Sequence, residues 1–174
     1  MAVNNIQPTG VERTFDVDEI IVSKTDPEGR FTYANSVFCK VAGYEEDEVI
    51  GVQHNLVRHP DMPRAVFKLL WDVIPTGEEV FAYVLNMAKN GDHYWVFAHV
   101  TASYDDNGNL SGYHSNRRVP EPSAVAKIEP IYAALLAEEK RHSSPKAGME
   151  ASFRMLVNLL EENGVTYDEF VFSL

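Results

Sequence analysis

Two Asn-Gly pairs, Asn90-Gly91 and Asn107-Gly108, each interrupt a run dense in β-branched and aromatic residues. Such pairs accept the positive φ angles of a tight hairpin turn, so EEVFAYVLNMA, DHYWVFAHVTASY and NLSGYHSNRRV read as three antiparallel strands in a meander. Along the middle strand, Trp95, Phe97 and His99 alternate with Tyr94, Val96 and Ala98. Both faces therefore carry large side chains: one packs on the core, and the other calls for an accessory cover.

Upstream, DEIIVSKTD and RFTYAN flank Asp26-Pro27-Glu28-Gly29, a turn in which proline presets φ and glycine is free to take the left-handed region. These two strands form a second hairpin. Val37, Phe38, Val41 and Ala42 then fall at helical spacing, between a cap at Asn35 or Ser36 and a stop at Gly43. Glu45–Gly51 reads as a short helical turn, and its acidic run as a solvated face. A longer helix runs from about Met62 to Ile74, with Asp61 at its N-cap and Pro63 in the first turn. Phe67, Leu70, Trp71 and Ile74 share one face of it. Two strand groups joined by helices on one side define an α+β domain with an antiparallel sheet.

Residues 1–17 lack periodicity and read as an arm or cap, 18–120 as the domain, and 121–174 as a helical extension. KIEPIYAALLAEEKR and PKAGMEASFRMLVNLLEENG supply two helices whose apolar faces need a partner, either this chain's own sheet or a second subunit. The formal charge of −11, from 15 basic and 26 acidic residues, argues against a nucleic-acid footprint and against adhesion to anionic membranes. There is no apolar run long enough to span a bilayer and no leader-like N-terminus. The lone Cys39 excludes an internal disulfide and suits a reducing compartment. The expectation is a soluble, cytoplasmic protein.

Several motifs together resemble a PAS domain, most closely the sensor domain of bacterial aerotaxis receptors. They are Thr25-Asp26, Tyr33-Ala34-Asn35, Val41-Ala42-Gly43-Tyr44, the run His54-Asn55-Leu56-Val57-Arg58-His59-Pro60-Asp61-Met62-Pro63, the run from Lys89 to Val96, and Ser111-Gly112-Tyr113. The resemblance implies a five-stranded antiparallel sheet whose concave side, closed by short helices, holds noncovalent FAD as a reporter of redox state or oxygen. By position it implies flavin-binding roles for Arg58, His59 and Asp61, polar pocket roles for Asn35 and Asn86, and an aromatic pocket role for Trp71. His54 and Phe67, from the same loop and helix, complete the candidate pocket. A flavin needs a flat apolar slot, amide-type groups along one edge, and cationic donors for its phosphates. Arg58 offers the planar fork, and an asparagine such as Asn86 can either donate or accept.

The sequence also departs from that branch. Gly77-Glu78-Glu79-Val80 stands where relatives often carry Gly-Glu-Pro-Trp, and Leu85-Asn86-Met87-Ala88 replaces a stretch that is basic in close relatives. Fewer cations there bring in FMN beside FAD. The histidines leave open a haem b gas sensor, although their spacing fits no zinc site. A cofactor-free module that dimerises through its sheet or helices is the third reading. A light-driven cysteinyl adduct does not fit, since the loop reads Asn55-Leu56-Val57-Arg58 and Cys39 lies on an earlier helix. No nucleophile elbow or phosphate loop points to an enzyme. With no membrane anchor after Leu174, output is expected to pass to a separate downstream signalling protein, with the sensor acting as a homodimer.

Overall fold

Turn chemistry sets the sheet. Gly91 takes φ +94°, and a Cβ there would lie 2.3 Å from the carbonyl oxygen of Gln7, so only glycine fits between β3 (Val80–Met87) and β4 (His93–Tyr104). β4 returns through Asp105–Asn109 into β5 (Leu110–Arg118), while β1 (Ile21–Thr25) and β2 (Phe31–Ala34) form the second hairpin. The chain, described over residues 6–174 in a computed structural model, arranges these as one five-stranded antiparallel sheet of order β2-β1-β5-β4-β3.

Register fixes which side chains share a face. One row across the sheet runs Ala82, Ala98, Arg117, Ile21, and a parallel row runs Val80, Val100, Ser115, Ser23. This inner face is roofed by α1 (Ser36–Ala42), α2 (Glu46–Val49) and α3 (Arg64–Val73), which bury Phe38, Val41, Val49, Val66 and Leu69. Asn35 caps α1, and Gly43 ends it in the left-handed conformation. The other face carries Phe81, Tyr83, Trp95 and Phe97. It is covered by α4 (Pro122–Lys140) and α6 (Tyr167–Phe172): Tyr132 donates to the Tyr83 carbonyl at 2.7 Å, and Phe172 sits 4.8 Å from Phe81. The cover for the second face thus comes from the same chain. α5 (Pro145–Asn163) packs on both α4 and α3.

α3 differs from the expectation in two ways. It begins at Arg64, with Pro63 in the cap position, so Asp61 is not its N-cap. Its buried residues are Ala65, Val66 and Leu69, while Trp71 is 40% exposed. The reason is that α3 has neighbours on three sides: the sheet, α5 and a cavity. An apolar stripe read for one neighbour therefore points the wrong way. The N-terminal arm lies along the β3–β4 turn. The Thr9 amide donates to the Gly91 carbonyl, and Arg13 pairs with Asp92 at 3.0 Å. Residues 1–5 of the expected arm lie outside the described residues.

Candidate functional site

A cavity of about 680 Å³ opens between the β1–β2 turn, the loop from Gln53 to Arg58, and α3. The loop reaches it because the turn His54–Val57 is a single 3₁₀ turn, pinned where the His54 amide donates to the Gly29 carbonyl. α3 presents Arg64, Phe67, Lys68 and Trp71 to the opening, at i, i+3, i+4 and i+7, which is one helical face. Three cations, Arg58, Arg64 and Lys68, and two acids, Glu28 and Asp72, share a mouth whose walls include Phe67, Trp71 and Met149, and Lys68 pairs with Asp72 at 2.7 Å. Arg58 stacks its guanidinium 4.7 Å above the Phe67 ring and donates to the Met62 carbonyl.

Behind the wall formed by His54 lies a polar line whose further members, Arg117, Tyr94 and Asn86, do not themselves line the cavity. His54 borders the cavity, and its Nε2 accepts from Arg117 at 3.1 Å. A guanidinium only donates, so this contact requires neutral His54. Burial, with Arg117 beside it, holds its pKa down at about 3. Arg117 is 3% exposed and bonds to Ser115 and Ser23, yet it forms no ion pair among the described residues, and one terminal nitrogen has no partner. The hydroxyl of Tyr94, on the same inner face, is also buried without a partner. Asn86, 2% exposed, sits opposite Tyr94 in the β3–β4 ladder and has no side-chain partner among the described residues. Leaving the Arg117 nitrogen and the Tyr94 hydroxyl buried and unpaired costs several kcal/mol together, although the Arg117 guanidinium also lies 5.8 Å from the Phe38 ring.

The structure brings His54, Arg58, Phe67 and Trp71 together at one cavity, with Asn86 linked to Arg58 through a backbone bridge. It places the other candidates elsewhere. Asn35 uses its side chain on the amides of Val22 and Phe38 and the carbonyl of Ile20, tying β1 to α1. His59 is buried, with Nδ1 accepting the Asp61 amide, and burial lowers its pKa. Asp61 is exposed, 3.9 Å from His59 and 4.0 Å from Lys140. Neither His59 nor Asp61 lines the cavity. Arg117, Arg64, Lys68 and Met149 were not singled out in the sequence. Only strand parity distinguishes Arg117 from its exposed neighbour Arg118: its register partner Ala98 places it on the buried face. Cys39 lies on α1, where burial raises its pKa. No group of three or more potential metal ligands occurs among the described residues, and no helix there is long and apolar enough to cross a membrane.

Comparison with known proteins bears on this geometry. Residues 31–116 match the PAS fold family. The chain is 42% identical to the aerotaxis receptor of Escherichia coli K12 over 120 residues, which is 69% of this chain and 24% of the receptor. It is 25% identical to the nitrogen fixation regulatory protein of Klebsiella pneumoniae over 57% of this chain and 20% of that protein. The chain thus spans a quarter or less of the length of these relatives. Among solved structures, a light-oxygen-voltage domain from a flavin-analogue study superposes with TM-score 0.55 at 24% identity, covering 64% of this chain and 84% of that one. The dark structure of the blue-light photoreceptor Aureochrome1 LOV gives TM-score 0.51, covering 70% and 83%. Sheet order, helical roof and sequence agree: this chain belongs to the PAS family.

Proposed function

We propose that this chain is a cytoplasmic sensor domain that holds FAD noncovalently and reports redox state or oxygen to a downstream signalling protein. The observation that carries it is the line from Arg117 through His54 to a mouth that Arg58 and Arg64 help to line. A bound flavin supplies a ring that takes up electrons and gains negative charge or protons. Arg117 offers a fixed positive charge, desolvated and unpaired, against that change. His54, held neutral, relays the hydrogen bond of Arg117 towards the cavity. Asn86, with a free amide, can donate or accept as the neighbouring group changes. Of the mouth cations, Arg58 and Arg64 suit a phosphate group, Lys68 being paired with Asp72. The similarity to an aerotaxis receptor and the shared fold with light-oxygen-voltage domains support the same reading.

An absorbance scan of protein expressed with ample riboflavin tests it, followed by chromatography of the nucleotide released on denaturation. Flavin bands and released FAD are expected. Released FMN narrows the proposal, a Soret band replaces it with the haem reading, and a colourless protein that takes up no added flavin removes it.

A further inference from the structure

The α4–α5 hairpin lies beyond the residues that match the PAS fold, yet it reaches the cavity. α3 receives no cap from its own approach, because Pro63 stands at the cap position and makes no side-chain bond. The cap comes from far along the chain. Glu139, in the last turn of α4, accepts from the Arg64 amide at 2.6 Å and from the Ala65 amide at 3.1 Å. α5 crosses this point so closely that a Cβ on Gly148 would lie 2.5 Å from the Glu139 carbonyl oxygen. The next residue, Met149, lines the cavity, and one turn on, Phe153 holds Lys68 over its ring at 4.8 Å. The helix so clamped is the one that presents Arg64, Phe67, Lys68 and Trp71 to the opening.

We propose that α5, with the last turn of α4, is a movable wall of the ligand cavity, and that Glu139 is the positioning residue that latches it to α3. The identity of the ligand rests on the flavin reading above; the wall and its latch do not. When the Glu139 carboxylate leaves the Arg64 and Ala65 amides, the cavity face of α3 loosens, Met149 withdraws and the ligand escapes. By reciprocity, an occupied cavity holds that wall down, so the extension is the element through which occupancy becomes visible at the surface.

Three variants test this. Glu139→Ala removes the cap, Gly148→Ala wedges α5 away from α4, and Glu139→Gln keeps a carbonyl acceptor. In ligand-free protein, amide exchange over residues 64–71 is expected to accelerate roughly fivefold in the two alanine variants and stay near wild type in Glu139→Gln, with β4 and β5 unchanged. Unchanged exchange overturns the latch, and acceleration confined to Arg64 and Ala65 overturns the wall. FAD dissociation, followed by fluorescence on dilution, is expected to quicken by a similar factor in the alanine variants. Equal dissociation rates alongside faster exchange also overturn the wall. If the wild type takes up no flavin, the flavin reading falls, and the exchange measurement alone decides the latch and the wall.

Discussion

The two faces of the sheet are finished differently. On the outer face the large groups of β3 and β4 are covered by the chain itself, while Tyr33 on β2 stays 42% exposed. Tyr132 bonds to the Tyr83 carbonyl, Trp95 lies 6.1 Å from Tyr132, and His99 stacks on Phe81 at 4.3 Å. On the inner face, Arg117 and Tyr94 keep buried polar atoms without partners, in a region otherwise filled by Phe31, Phe38 and Val96. A face built only for stability would resemble the outer one, because unpaired buried polar atoms weaken a fold. Among the described residues the sheet's unpaired buried polar atoms thus lie on its inner face, while a third, Ser152 Oγ, lies on α5.

Changes on the two faces should consequently have opposite characters. The largest loss is expected on the outer side: Ile128→Ala, which truncates a side chain 1% exposed on α4, should cost about 3 kcal/mol in denaturant unfolding. A variant with near-native stability would show that the outer cover is not integral to the domain. Next comes pH. The pKa of His54 falls from 6.5 to about 3 on folding, so the unfolded chain binds the extra proton between those values. Its contribution is intact above pH 6.5 and declines as pH drops towards 3, reaching a loss of about 2 kcal/mol at pH 5. Subtracting the pH–stability curve of His54→Asn from that of wild type isolates this slope, and parallel curves would refute the buried neutral imidazole. Smallest is Tyr132→Phe, expected to cost about 1.5 kcal/mol with no effect on flavin retention, since it leaves the Tyr83 carbonyl and the Tyr167 hydroxyl without their partner. Loss of flavin in that variant would blur the division between the faces.

What was legible in the sequence follows the range of the forces involved. The β3–β4 hairpin, the Asn35 cap and the Gly43 stop are local, and adjacent residues announce them. The start of α3 was not legible, because its cap, Glu139, arrives from 75 residues away on another helix. Periodicity groups Trp71 with Phe67, Leu70 and Ile74 but cannot tell that Ile74 is buried while Trp71 stays 40% exposed at the cavity, because it does not say how many neighbours surround a helix. The loop motif points equally to His54 and Arg58, which line the cavity, and to His59 and Asp61, which do not. Arg117 sits in a pair of arginines, one facing in and one out, and only the strand register tells them apart. Met149 entered the cavity wall from a helix with no motif at all.

The most direct measurement is a flavin titration of wild type and Arg117→Met, paired with unfolding of both ligand-free proteins. A guanidinium kept for a ligand should be costly without one. Arg117→Met is therefore expected to leave the ligand-free domain as stable or about 1 kcal/mol more stable, while weakening flavin binding roughly tenfold or more. A variant that binds flavin as tightly as wild type, or that loses stability while the wild type binds none, would show that Arg117 serves the fold and not a cofactor.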